Sequence, residues 1–256
     1  MNKKYNAKYF KDGMPEWKKK KDPILSRIFY RPVSFWGASV CANCGISANT
    51  VSYFSAVFAI IACLLFLIDI CTVKVIAAVM INLWLIMDCV DGNLARSVKS
   101  QPFGEFADGI SSYILVGLMC ITMSFSVYQT GGLFVDAGQA WIILIGAFAS
   151  SSDTMMRLIY QKYKATAAEM VAKGIITPEI DKRTSHTEVG SFRVRVESEL
   201  GIGGVLPIAI LIACIFNALD VVVVYCFLYY GASCAVASTL YVKKAIKHTA
   251  EYEVKN

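Results

Sequence analysis

Three aspartates near the end of an apolar stretch are the residues of this chain best suited to chemistry. Asp88 and Asp91 are three residues apart, so on a helix they share one face, and Asp108 follows near the start of the next apolar stretch. Carboxylates at such positions repel one another and are costly to ionise without a counter-charge. A divalent cation supplies that counter-charge, and ligands that are all oxygen favour Mg²⁺ or Mn²⁺ over zinc. The spacing therefore predicts a metal site at Asp88, Asp91 and Asp108.

The residues that follow these aspartates suit a phosphate ligand. Gly92 and Ala95 leave the helix surface without bulk, and the guanidinium of Arg96 can bind phosphate in a bidentate manner. Acids, small residues and one arginine around a cation describe a diphosphate site. Taken one at a time, these residues also fit ordinary helix packing for Gly92 and Ala95 and snorkelling to the interface for Arg96.

The composition places these residues in a membrane protein. Of the 256 residues, 56% are hydrophobic and 17% are charged, and the mean hydropathy is +0.53. Because a bilayer core needs roughly 20 apolar helical residues, the chain predicts an all-α polytopic bundle of six transmembrane helices. The predicted spans are Val51–Ile70, Val75–Met87 continued through Asp88 and Asp91, Ile110–Val127, Ala140–Tyr160, Ile202–Leu219 and Val221–Val242.

The basic residues predict the orientation. With six spans, 24 of the 25 Lys and Arg residues fall on one side, and Lys74 is the exception. The positive-inside rule then places both termini in the cytoplasm of a multi-pass cell-membrane protein. No N-terminal signal peptide is visible.

The N-terminal region predicts contact with the membrane surface. The run Lys18–Lys21 beside Trp17 is typical of an interfacial anchor on anionic lipid, and Asp22–Cys44 reads as an amphipathic interfacial segment bent at Pro32. A solvated lysine tail over Lys3–Lys21 is the alternative. We expect three parts, namely a basic tail and interfacial segment (1–49), the membrane domain (50–245) and a cytoplasmic tail (246–256). The net charge of +6 requires no nucleic acid.

The aspartate motif resembles that of a known family. Asp88-x-x-Asp91-Gly92-x-x-Ala95-Arg96, seven further residues and then Gly104-x-x-x-Asp108 resemble the signature of the CDP-alcohol phosphotransferases, also called CDP-alcohol phosphatidyltransferases. Seven of the eight fixed positions match. The segment Ile46–Ser52 also resembles the family's approach to the first span, with Ala48 in place of proline.

The resemblance implies a transferase. Family members displace CMP from a CDP-linked alcohol when an acceptor hydroxyl, of an alcohol or a lipid, attacks the β-phosphorus, often in phospholipid synthesis. By this resemblance the three aspartates hold Mg²⁺ or Mn²⁺. The residues that would form the nucleotide site are Gly92, Ala95, Arg96, Gly104, Asn49 and Ser52.

The eighth position of the signature departs from the family. The family has a fourth aspartate there, a metal ligand and the presumed base for the acceptor hydroxyl, whereas this chain has Ser112. A serine hydroxyl is not a base near neutral pH. Glu105, three residues before Asp108, is the candidate substitute base, and His186 is a remoter candidate.

Two further pairs could have a function. Asp153 and Arg157 are spaced for an ion pair on one helix face, and could instead line an acceptor pocket. Cys41 and Cys44 have CxxC spacing, but no second CxxC or histidine pair completes a zinc site, which favours an incidental pair.

Three functions remain open on the sequence. The first is an active phosphotransferase, the second a catalytically impaired relative that binds CDP-alcohol or CMP as a subunit or regulator, and the third a divalent-cation transporter. Transporters tend to carry acids near the membrane midplane and paired repeats, and this chain has neither, which favours the first two. We also expect a homodimer.

Overall fold

The described part of the chain folds into ten α-helices. The computed structural model describes residues 4–178 and 192–255, and within these ranges there is no β-strand. The helices are α1 (Ala7–Asp12), α2 (Glu16–Lys21), α3 (Arg31–Asn43), α4 (Ala48–Leu65), α5 (Cys71–Ser97), α6 (Gly104–Thr130), α7 (Trp141–Ala172), α8 (Phe192–Leu200), α9 (Leu206–Ile215) and α10 (Leu219–Lys255). A π-helical turn, Ser26–Tyr30, leads directly into α3. The predicted all-α polytopic fold is confirmed.

Five of these helices are long and apolar enough to cross a membrane, namely α4, α5, α6, α7 and α10. As predicted, α5 continues through Asp88 and Asp91 and carries both carboxylates on one continuous helix. The outward faces of the spans are apolar, with large exposed side chains such as Phe54, Leu144 and Leu228. Such exposure suits contact with lipid.

The remaining apolar helix is shorter than the predicted span Ile202–Leu219. Helix α9 has 10 residues, so it is about 15 Å long at 1.5 Å per residue. The residues before it form turns, and a Cβ on Gly204 would lie 2.0 Å from the carbonyl oxygen of Glu199. The chain therefore turns tightly at Gly204 before α9 begins at Leu206, with Pro207 in its first turn. Five full-length spans and this shorter apolar helix remain compatible with six crossings.

The membrane helices pack as a closed ring. Neighbouring pairs follow the order α5, α4, α6, α7, α10 and α9, and α9 returns to α5. Small residues allow close approach, since a Cβ on Gly146 of α7 would lie 2.4 Å from Ser124 Cβ of α6. Helix α3 lies against α5, where a Cβ on Gly37 would lie 2.8 Å from Val90 Cγ2. Helix α3 therefore packs against the part of α5 that carries Asp88 and Asp91.

The topology can be tested by thiol labelling. With the exposed Cys44 and Cys71 replaced by serine, we expect Gln139→Cys and Ala172→Cys to react with an impermeant maleimide from opposite sides of the membrane. Both positions are exposed. Gly132 lies in the same loop as Gln139 but is unsuitable, because a Cβ there would lie 2.3 Å from Asp220 Cγ. Labelling of both cysteines from one side would contradict the orientation.

Candidate active site

The three aspartates that are predicted to bind a metal lie on two helices. Asp88 and Asp91 are in the C-terminal half of α5, and Asp108 is in the first turns of α6. Asp88, Asp91 and Asp108 lie close enough to interact electrostatically with one another. Asp91 is 6% exposed, whereas Asp108 is open to solvent. None of the three forms an ion pair with a lysine or arginine in the described part of the chain. The structure thus places three acidic side chains together without a direct counter-ion.

The geometry of the carboxylates is looser than that of a closed metal site. Within residues 4–178 and 192–255, no group of three or more His, Cys, Asp or Glu side chains is arranged to hold a metal ion. Asp91 is oriented instead by helix α4, since Ser52 Oγ donates a 2.6 Å hydrogen bond to Asp91 Oδ2. Ser52, predicted to bind the nucleotide, is therefore a direct partner of a predicted metal ligand.

Arg96 lies across the glycine of the motif. A Cβ on Gly92 would lie 3.0 Å from Arg96 Nη1 and 3.0 Å from Arg96 Nη2, which explains why this position needs glycine for the observed arginine conformation. Arg96 Nη2 also donates to Asn93 Oδ1 at 3.1 Å. The guanidinium therefore remains on the surface next to the aspartates, where a phosphate could reach it. Ala95 is half-buried beside it.

Asn49 connects α4 to the turn between α5 and α6. Its Nδ2 donates to the carbonyl of Pro102 at 2.9 Å, and its backbone N–H donates to Gln101 Oε1 at 3.2 Å. A Cβ on Gly104 would lie 3.5 Å from Asn49 Oδ1, an ordinary contact distance. Asn49 and Gly104, both predicted to bind the nucleotide, lie together at the start of α6, where Asn49 holds the turn that positions Asp108.

The serine at the fourth acidic position is engaged within its own helix. Ser112 Oγ donates to the carbonyl of Gly109 at 3.0 Å. The adjacent Ser111 is buried and accepts a 2.9 Å hydrogen bond from Trp84 Nε1, and its hydroxyl lies 2.6 Å from Ser55 Oγ. Neither hydroxyl has a basic partner in these bonds.

Glu105 is directed to α7. Its exposed carboxylate forms a 2.5 Å ion pair with Lys164. The pairing directs Glu105 toward Lys164 and gives no contact with Asp108 in support of a role as a base. His186, the remoter candidate, lies outside the described residues.

Asp153 and Arg157 form the ion pair that their spacing indicated. Arg157 Nε lies 3.2 Å from Asp153 Oδ2, and Asp153 is 1% exposed. The Arg157 guanidinium also lies over the ring of Tyr113, with Cζ 5.6 Å from the ring centroid, and acts electrostatically on Asp108. The pair therefore borders the carboxylates from the α7 side.

Sequence reasoning missed a buried ion pair that secures the N-terminal segment. Arg31 donates to Asp22 through Nε at 2.7 Å and through Nη2 at 3.3 Å, and both side chains are more than nine-tenths buried. Arg31 Nη1 also donates to the Cys89 carbonyl at 3.3 Å and to Asn93 Oδ1 at 3.4 Å. Asn93 in turn donates to Ser34 Oγ at 3.0 Å. The network joins α3 to the aspartate motif of α5.

Burial and charge act on Asp22 in opposite directions. Burial by itself would raise the pKa of Asp22, but Arg31 and Lys18 outweigh it and hold the pKa below its usual value. The sequence feature that could have indicated this ion pair is an acidic residue, Asp22, that directly follows a run of lysines and precedes Arg31 by nine positions.

Comparison with known proteins confirms the family resemblance. The family model described as CDP-alcohol phosphatidyltransferase matches residues 46–184, more than half of the chain. The chain therefore belongs to the CDP-alcohol phosphatidyltransferase family of membrane transferases. The matched range contains all of α4, α5, α6 and α7 and excludes Asp22 and Arg31. No curated protein matches the chain.

Removing the Asp22 carboxylate should destabilise the protein. Breaking a buried ion pair by removing one partner typically costs about 3–5 kcal/mol, so Asp22→Asn should lower the thermal unfolding midpoint in detergent micelles. Asp12→Asn, at an exposed position, is the control and should change little. Because the pKa of folded Asp22 is lowered, its contribution is complete above the unfolded pKa and is lost as the pH falls through the folded value. The difference between wild type and Asp22→Asn should therefore stay constant from about pH 6 to about pH 8. A midpoint equal to that of Asp12→Asn would contradict the importance of this pair.

Proposed function

We propose that this protein is an integral membrane transferase that moves a phospho-alcohol from a CDP-linked donor to an acceptor hydroxyl and releases CMP. The observation that supports this best is the placement of Asp88, Asp91 and Asp108 together, without an ion-pair partner, beside the guanidinium of Arg96. Family membership supports the transferase class. Synthesis of a phospholipid or a related phosphodiester is the setting that fits a polytopic chain with basic residues on one side.

The carboxylates suit Mg²⁺ or Mn²⁺. Asp88 and Asp108 offer adjacent oxygen ligands, and both lack an ion-pair partner in the described residues, so their repulsion remains to be compensated. Asp91 would complete the set while Ser52 fixes its orientation. When bound, the cation would neutralise the diphosphate of the donor and stabilise the leaving phosphate.

The remaining residues would orient the donor. Arg96 would bind a phosphate oxygen, because the N–H groups of a planar guanidinium match the geometry of phosphate. The hydrogen bond from Arg96 Nη2 to Asn93 Oδ1 helps to fix the orientation of this guanidinium. Gly92 would leave the space in which the Arg96 guanidinium lies against the helix and faces the donor. The acceptor hydroxyl would attack the β-phosphorus and lose its proton, while the bond from that phosphorus to the bridging oxygen breaks and CMP leaves.

Release of CMP tests the proposal directly. Purified protein in lipid nanodiscs, given Mg²⁺ and a panel of CDP-alcohols with candidate acceptors, should release CMP from at least one pair. Asp88→Asn and Asp108→Asn should abolish this release and the Mg²⁺-dependent binding of CDP, and EDTA should do the same to the wild type. Asp69→Asn is the matched control, because Asp69 precedes α5 at the end away from the aspartate motif and is predicted to lie on the opposite side of the membrane. Undiminished CDP binding in Asp108→Asn or in EDTA would exclude the metal assignment.

A second candidate is a relative that binds the donor but turns it over poorly. The observation in its favour is that Ser112 bonds to its own helix and Glu105 bonds to Lys164, so no carboxylate replaces the family's fourth aspartate in these contacts. Such a protein would bind CDP-alcohol or CMP and could act as a subunit or regulator. No contact of the described residues favours cation transport.

Restoring the fourth carboxylate distinguishes these candidates. A positioned general base contributes about 10²–10⁴-fold in rate, so Ser112→Asp should raise CMP release by at least about tenfold with little change in donor affinity. Ser112→Asn is the matched control, because it adds similar volume without a base. If wild-type turnover is already fast, Ser112→Asp has no effect and Glu105→Gln abolishes turnover, then Glu105 is the base and our interpretation of Ser112 is wrong.

A further inference from the structure

The four lysines of α2 differ in what they contact. Lys19 forms a surface ion pair with Glu16 at 2.6 Å, and Lys20 is exposed. Lys18 instead lies 2.8 Å from Asp22 Oδ1, and its side chain is 24% exposed while that of Asp22 is 4% exposed. The Lys18–Asp22 pair is therefore not an ordinary surface pair, although its i, i+4 spacing is typical of one. Of these three lysines, Lys18 is the one that the structure directs toward a buried acidic side chain.

Lys18 is also linked to the helix that carries Asp88 and Asp91. Its charge acts on both Asp88 and Asp108, which belong to different helices. Its position is fixed through Asp22, because Arg31 holds the Asp22 carboxylate with two hydrogen bonds and is itself bonded to Cys89 and Asn93 of α5. The Lys18 ammonium is thus attached, through buried groups, to the same helix as Asp88.

The charges of this group do not cancel. Asp22 carries one negative charge, and Arg31 alone can neutralise it with its two hydrogen bonds. Lys18 therefore adds a surplus positive charge, and an ammonium with one donor on Asp22 retains two donors. Membrane anchoring does not require this arrangement, since Lys19 and Lys20 already provide charge at the surface.

We propose that Lys18 forms a phosphate-binding subsite above the carboxylates, with Asp22 as its positioning residue. The ligand is a phosphate group of the CDP-linked donor, so this inference rests on the proposed function. The same chemistry would suit the phosphate of an anionic lipid head group. The geometry favours the donor, because Lys18 is connected through Asp22 and Arg31 to Cys89 and Asn93, which lie within the aspartate motif of α5.

The test measures binding of CDP and of inorganic pyrophosphate to full-length protein with Mg²⁺, by calorimetry in nanodiscs of neutral lipid. Lys18→Met keeps most of the aliphatic side chain and removes the charge, and Lys20→Met on the same helix is the matched control. A hydrogen bond to a charged group contributes about 1.5–3 kcal/mol, so Lys18→Met should weaken both ligands by at least about tenfold. Lys18→Arg should restore part of the affinity, and the unfolding midpoint of Lys18→Met should show that the protein remains folded.

Each outcome decides a different point. Equal affinity in Lys18→Met and Lys20→Met would overturn the subsite. A loss that is seen only when the nanodiscs contain anionic lipid would assign Lys18 to a head group and overturn the donor assignment. If Lys18→Met weakens pyrophosphate binding and the wild type releases no CMP from any CDP-alcohol, the subsite stands and the proposed transferase activity fails. If the wild type binds neither ligand, both are overturned.

Discussion

Repulsion among three carboxylates is the constraint that the rest of the site has to satisfy. Asp88 and Asp91 belong to α5 and Asp108 belongs to α6, yet these two helices make few contacts with each other, and both pack against α4. Helix α4 therefore sets the distance between them. Two serines on α4 reach the flanking helices, Ser52 to Asp91 on α5 and Ser55 to Ser111 on α6. Hydrogen bonds to a third helix thus hold together acidic side chains that would otherwise separate.

The surrounding cations compensate this charge without neutralising it. Lys18 and Arg31 come from the N-terminal segment, Arg96 follows the aspartates on α5, and Arg157 comes from α7; all four act electrostatically on Asp88 or Asp108. None lies within ion-pair distance of the three aspartates in the described residues. Several of these cations are committed to other acids, such as Arg31 to Asp22 and Arg157 to Asp153. A carboxylate cluster within a basic surround can attract a metal ion and a diphosphate together, whereas direct ion pairs would exclude the metal.

Local spacing was enough to predict the helix-borne part of the site. The three-residue interval between Asp88 and Asp91 required a helix that continues past the apolar run, and α5 does so. Contacts between distant segments were not predictable in the same way. The helical period places Glu105 on the same side of α6 as Asp108, but Lys164 of α7 binds its carboxylate. Asp22 and Arg31 do not form a recognisable sequence motif. Their burial and pairing depend on how α3 packs against α5, which the sequence spacing does not specify. A span was predicted over Ile202–Leu219, but the shortness of α9 was not. Hydropathy counts apolar residues and does not register the close backbone approach at Gly204 that delays the start of the helix.

The serine at position 112 changes the charge of the site more than its shape. Its hydroxyl bonds to Gly109 one turn earlier, so α6 runs through this position without a break. A fourth carboxylate here would lie four residues after Asp108, on the same face of α6, and would add to the repulsion that α4 already has to restrain. With serine, the proposed metal site has three carboxylates, for which one divalent cation and the nearby basic residues would be sufficient compensation. Under the proposed function, a serine here would suit a site that holds the donor with a single tightly bound cation, and activation of the acceptor hydroxyl would be the step with the least support from the protein.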